Sequence, residues 1–344
     1  MIQLQSDYLE GAHMSVIKRL ADTNYIQTPG YGEDVCCDEA RTLIRKLCNA
    51  PEAAIHFLVG GTQANRTVIA SVLRPHQGVV SAPGGHIAVH ETGAIENAGH
   101  KVLTISDVDG KLTAAGVEAL CAAHYADASF EHTVQPGMVY ISNPTEIGTV
   151  YTRQELSELY AVCQSRGLPL YIDGARLGCA LVSDVCDYTL PEMAQMCDVF
   201  TIGGTKLGAL FGEAVVIMNP ALQKDFRYYI KQNGGMLAKG RLLGLQFLAL
   251  LENGLYDRIA QQEVELAMVL RDGLRQKGWD FLVDSPTNQQ FPILPDTVLD
   301  ELRKDFNFSY WQSMGNGMSA VRFCTSWATA REHIDALLAA IPQR

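Results

Sequence analysis

The sequence predicts an α/β fold built on a mainly parallel sheet, and three observations carry that prediction. Short apolar runs recur along the chain, at 53–59, 79–81, 101–105, 138–142, 168–172 and 199–202. Longer stretches with helical spacing lie between them, which is the pattern of βαβ units. Residues fit for chemistry follow several of these runs, Asp173 after 168–172 above all. An open parallel sheet binds its ligands outside the carboxyl ends of its strands.

Residues 1–15 read as an irregular arm, after which a short helix runs through Leu20. The turn-rich segment Tyr25 to Asp34 is a loop, and a helix from about Cys37 to Cys48 follows. The run 53–59 closes on Gly60-Gly61-Thr62 and gives way to helical spacing from Gln63 to Leu73. Strand, glycine turn and helix in that order present free N–H groups and a hydroxyl at the positive end of a helix, where a phosphate sits well. The same stretch also reads as an ordinary helix start capped by Thr62.

After the strand 79–81 come the turn Gly84-Gly85-His86, a helix from about His90 to Ala98, and the strand 101–105. A helix from about Leu112 to Ala126 leads to the strand 138–142, and a helix from Arg153 to Arg166 to the strand 168–172. Strands 199–202 and 214–217 flank a glycine-rich turn that carries Lys206. The pattern changes from about Asp225. Helices are expected at 237–252, 257–277, 297–305 and 331–340, with strand-like pieces at 280–284, 290–294 and 320–325. The expected organisation is an arm (1–15), a large domain (16–245) and a smaller C-terminal α/β domain (246–344).

Composition narrows the class of function. The chain of 344 residues is 47% hydrophobic and 19% charged, as in a globular enzyme rather than a disordered chain. A formal net charge of −11, with no cluster of lysine and arginine, argues against nucleic-acid binding. No apolar run reaches the ~20 residues of a membrane helix. The start, MIQLQSDYLEGAHM, lacks the layout of a signal peptide. Nine scattered cysteines without a CxxC pair point to a reducing, cytoplasmic setting, and no metal site is expected.

Lys206 is the focus of the chemistry. A buried ammonium without a partner is costly, so such a lysine either reaches water or loses its proton and becomes a nucleophile fit for a Schiff base. A plain loop lysine is the alternative. Asp173, Gly60-Gly61-Thr62 and His86 each fall at the end of a strand, in one plausible crevice with Lys206. Pyridoxal phosphate needs such a set: a lysine, an acid beside the ring nitrogen, a phosphate cradle and a flat group against the ring.

With these residues in order, the chain resembles the low-specificity threonine aldolases, in the β-eliminating-lyase branch of fold-type I pyridoxal-phosphate enzymes. The motif that carries most of this resemblance is Asp173-Gly174-Ala175-Arg176 followed by Lys206. The stretches Gly60 to Asn65, Gly85 to Glu96 and Tyr31 to Asp34, and Arg322, also match in order. The resemblance implies a transferase-like large domain with a mixed, mostly parallel seven-stranded sheet.

It also implies roles. Lys206 holds the cofactor and carries a proton at the substrate's Cα. Asp173 pairs with the ring nitrogen, Gly61 and Thr62 hold the phosphate, and His86 lies on the ring. Arg176 and Arg322 grip the substrate carboxylate, with Ser6 adding a hydroxyl. Tyr31 and Lys231 reach the site from a neighbouring subunit of a homodimer or homotetramer. The base that takes the proton of the substrate hydroxyl is His86, a water it positions, or Glu91. The implied reaction is cleavage of L-threonine or L-allo-threonine to glycine and an aldehyde. β-Elimination, racemisation, an aldolase for aromatic substrates, and a non-catalytic member of the fold are the alternatives.

Three departures from the family pattern stand out: Gln5 in place of an arginine before Ser6-Asp7, the short QNGGMLAKGR segment around Lys231, and Glu146 about where a second active-site histidine is common.

Overall fold

Seven strands form the central layer of the computed structural model, which describes residues 1–344. After a two-residue strand β1 (Ile2–Gln3) these are β2 (Ala54–Leu58), β3 (Gln77–Ser81), β4 (Val102–Thr104), β5 (Gln135–Ser142), β6 (Leu170–Asp173), β7 (Val199–Gly203) and β8 (Glu213–Ile217). Their spatial order is β2-β8-β7-β6-β5-β3-β4. Only β8 runs antiparallel to its neighbours, so the sheet is mixed and mostly parallel, as expected.

The strands are mostly apolar because helices cover both faces. Leu58, Val79, Met138, Tyr171, Val199 and Val215 pack under helix Gly61–Val72. Val80, Val139, Ile172, Phe200 and Val216 face the opposite core, which takes in helices Val35–Leu47 and Arg241–Leu251. Helix Arg153–Arg166 has the limits read from the sequence because both ends are written locally. Thr152 and Glu155 close a capping box, and Gly167 stops the helix at φ 65°.

A second sheet joins β10 (Ile293–Pro295), β13 (Met318–Cys324) and β12 (Ser309–Gly315), with β9 (Gln289–Gln290) also paired to β13. Its core holds Leu270, Val321, Phe323, Ile334 and Leu337.

Several elements differ from the sequence reading. The arm is not irregular throughout: β1 pairs in parallel with β11 (Phe306–Asn307), and Leu4 is fully buried in the second core. Burying such a leucine contributes about 2 kcal/mol. The expected helix 90–98 is two single turns, His86–Val89 and Ala94–Asn97, broken where Thr92 and Gly93 take positive φ. Residues 280–284 form no strand, only an isolated bridge from Phe281 to Pro292. The strand β12 was not expected.

Candidate active site

The site lies at the carboxyl ends of β2, β6 and β7. Gly174, just after Asp173, lets these ends close up, since a Cβ there would lie 2.0 Å from the Thr201 carbonyl oxygen. A cavity of about 290 Å³ opens at this edge. Lys206, Asp173, His86, Arg176 and Gly60-Gly61-Thr62 all line it. The sequence had placed each of these residues at a functional position.

Lys206 makes no hydrogen bond or ion pair. Burial, then the charge of Arg176, pushes its amine below the ordinary lysine value, against the opposing pull of Asp7, Glu213 and Asp173. The fraction of neutral amine, the nucleophilic form, rises accordingly.

Asp173 is fixed from three sides. Asn65 Nδ2 and the Tyr140 hydroxyl donate to its Oδ2 at 2.9 and 2.8 Å, and the Ala175 amide donates to Oδ1 at 3.0 Å. The same Asn65 Nδ2 donates to Glu91 Oε1 at 2.7 Å, while Asn65 Oδ1 accepts from the Tyr171 hydroxyl at 2.7 Å. Asn65 is fully buried and couples the two carboxylates. It stood inside the Gly60 to Asn65 stretch, but its role depends on contacts with strands far along the chain.

Glu91 Oε1 lies 2.7 Å from His86 Nδ1. Burial alone would lower the His86 imidazole, but this hydrogen bond and the charges of Asp173 and Glu91 raise it above the ordinary histidine value. Glu91 itself is buried behind His86 and lines no part of the cavity. The single helical turn His86–Val89, capped by His90, brings Glu91 back beside His86.

Glu146 Oε1 accepts from the His86 backbone amide at 2.7 Å and the Ser142 hydroxyl at 2.6 Å. Burial pushes this carboxyl above its ordinary value. Glu146 lines both the first cavity and a second one of about 440 Å³ that shares His86, Arg176, Lys206 and Tyr8 with it.

The second chamber holds Arg322. Its Nη1 donates to Gln289 Oε1 at 3.1 Å, its Nη2 donates to the Gln5 carbonyl at 2.9 Å, and its Nε is buried without a partner. The Trp311 ring lies beneath the guanidinium, 5.8 Å from centroid to Cζ.

Arg176 is already paired. Its Nε and Nη2 donate to Asp7 Oδ2 and Oδ1 at 2.5 and 3.0 Å. Burial opposes ionisation of Asp7, yet Arg176 and then Lys206 hold its carboxyl well below the usual range. Ser6 is buried with its hydroxyl unpartnered and lines neither chamber. Tyr31 and Lys231 lie apart from the cavity, with Lys231 Nζ 5.2 Å from the Tyr31 ring centroid on the protein surface. Glu213 and Tyr8 line the cavity and were missed, Glu213 because it stands one residue ahead of the apolar run that was read as a strand.

The arrangement fits pyridoxal phosphate. A partnerless lysine and an anchored aspartate share one chamber, and the first turn of helix Gly61–Val72 faces it with no side-chain cap on its N–H groups.

The beta-eliminating lyase family model matches residues 3–295. The chain belongs to that family. The low-specificity L-threonine aldolase of a Pseudomonas species is 30% identical over 98% of this chain and 96% of its own length. The enzyme of that name from Pseudomonas aeruginosa is 29% identical over 96% and 94%. The solved structure of Leishmania major threonine aldolase is 42% identical, with a TM-score of 0.95 over 98% of each chain. The expected family, fold and class, a pyridoxal-phosphate-dependent lyase, stand. No helix is long and apolar enough to cross a membrane, and none of the nine cysteines is paired.

Proposed function

We propose that this lyase cleaves L-threonine or L-allo-threonine to glycine and acetaldehyde. The observation that carries the reading is the wall of His86, Glu146, Arg176 and Lys206 common to the two chambers. It joins a cofactor-sized cavity to one that presents Arg322. The names of the relatives support the choice of substrate.

Bound in the first chamber, pyridoxal phosphate supplies an electron sink that allows the bond between Cα and Cβ of an amino acid to break. The chain's own residues do the rest. Lys206 holds the cofactor and moves a proton at the substrate's Cα. Asp173, kept in place by Asn65 and Tyr140, holds the proton on the ring nitrogen. Gly61 and Thr62 hold the phosphate. Arg322 grips the substrate carboxylate with a fork suited to two parallel hydrogen bonds. Arg176 orients the N-terminal arm through Asp7 and turns its remaining Nη1 to the same carboxylate.

His86 takes the proton of the substrate hydroxyl through Nε2, the ring atom left free by Glu91. Glu91 is a positioning residue that fixes the ring and its tautomer. Tyr31 and Lys231 complete the site of a neighbouring subunit in a cytoplasmic homodimer or homotetramer. Light scattering of the purified protein checks this, and a monomer would remove both residues from the site.

The test is product analysis with each threonine isomer. Equal amounts of glycine and acetaldehyde support the reading. Ammonia with a keto acid would move the reaction to β-elimination.

A further inference from the structure

We infer that Glu213, in the cofactor chamber, takes up a proton when the cofactor's phosphate binds and, as a neutral carboxylic acid, donates a hydrogen bond to it, so that phosphate recognition carries a proton with it. This inference rests on the pyridoxal-phosphate reading above.

Glu213 opens β8 and is paired across the sheet with Leu58 of β2 and Gly203 of β7. Leu58 stands two residues before Gly60, which precedes the first turn of helix Gly61–Val72. Gly203 stands three residues before Lys206. The glutamate is thereby set between the helix start and the lysine. Alternation along β8 puts its side chain on the same face as Val215 and Ile217, which pack in the core under that helix. Glu213 lines the cavity with Gly60, Gly61, Thr62, Thr205 and Lys206.

The side chain is unused by the rest of the fold. Glu213 is 4% exposed, its Oε2 is buried without a partner, and no group donates to either oxygen. An ionised carboxylate so placed would be unpaired and would repel a phosphate dianion. Protonated, it has one O–H to give. Burial, then the charge of Asp173 on β6, pushes this carboxyl far above its ordinary value, while Lys206 opposes the shift. His86, Glu146 and Arg176 are the other charged or titratable groups around the same cavity, with the Tyr8 phenol at its edge.

The test compares pyridoxal phosphate with pyridoxal, which has the same aldehyde and ring but no phosphate. The phosphate's second pKa is about 6, so it stays a dianion above pH 7. The ratio of the two affinities cancels proton events at the lysine and the ring and isolates the phosphate. Each compound is titrated into cofactor-stripped protein between pH 7 and 9.5, with binding read from the visible absorption band. For the wild type the ratio falls with rising pH and approaches about tenfold per pH unit. In Glu213→Gln, which keeps a donor and cannot ionise, the ratio stays flat. Glu213→Asp keeps the slope and lowers the ratio, and serves if the glutamine variant does not fold. Parallel slopes in wild type and Glu213→Gln, or a flat wild-type ratio, overturn the inference alone. Absence of a visible band with either compound in the wild type overturns the cofactor reading and the inference with it.

Discussion

Asp7 and Arg176 lie 169 residues apart in sequence and close a two-pronged ion pair, with Nε to Oδ2 at 2.5 Å and Nη2 to Oδ1 at 3.0 Å. Asn288 Nδ2 also donates to Asp7 Oδ2 at 2.9 Å. The pair ties the N-terminal arm to the end of β6 and to the neighbourhood of β9.

Asp7→Asn leaves the Arg176 charge buried without its counter-ion. Removing one partner of a buried pair costs roughly 3–5 kcal/mol. Urea unfolding should show a loss of about 3 kcal/mol, and hydrogen exchange should show the arm released first. A loss under about 1 kcal/mol would mean that the pair does not anchor the arm.

Asn65→Ala removes the shared donor of Asp173 and Glu91 and the acceptor of the Tyr171 hydroxyl. Buried groups left unpaired cost about 1–3 kcal/mol each. We expect a stability loss of about 3 kcal/mol together with weaker cofactor binding, read by titration of the visible band. Unchanged cofactor affinity would detach Asn65 from the role of Asp173.

The fold was legible where the signal is local. The apolar runs gave the seven strands of the main sheet because both faces of that sheet are buried, and helical spacing gave the helix Arg153–Arg166. The β12–β13 hairpin also had a local signal that went unread. Asn316-Gly317 take φ 52° and 71°, the backbone that an Asn-Gly turn favours. The strand before it, SYWQSMG, is mostly exposed and shows no apolar run. Pairing of Ile2–Gln3 with Phe306–Asn307 joins strands some 300 residues apart in sequence, and no local pattern specifies it.

The site was legible as residue types at strand ends: Asp173, His86 and Lys206. Its supporting groups were not. Asn65 looks like any polar residue in a first helical turn, and Glu213 like a residue that begins a strand. The partners of Asn65 and the place of Glu213 in the cavity become visible only when β2, β8, β7 and β6 are assembled into one sheet. The pairing of Arg176 with Asp7 likewise needs the arm folded into place.

His86 titrates above an unbound imidazole because Glu91 and Asp173 outweigh the effect of burial. With the folded value raised, the stabilisation from this contact is fully present below the unfolded value of about 6.5 and is lost as pH rises through the folded value. Histidine NMR titration should place His86 above 6.5 in the wild type. In Glu91→Gln burial counts for more, and the value should drop. A value unchanged by the substitution would show that Glu91 does not tune the ring.

Arg322→Gln removes one positive charge from the second chamber and changes no residue that lines the first. A hydrogen bond to a charged group contributes about 1.5–3 kcal/mol. KM for threonine should rise about 10- to 100-fold, with cofactor affinity within about twofold of wild type. A change confined to kcat would place the carboxylate elsewhere.

Reductive trapping tests the central claim most directly. Protein loaded with pyridoxal phosphate is treated with borohydride, digested and mapped by mass spectrometry. The account predicts a single modified site at Lys206 and no visible band in Lys206→Ala. Modification spread over surface lysines, or a band that persists in Lys206→Ala, would contradict it.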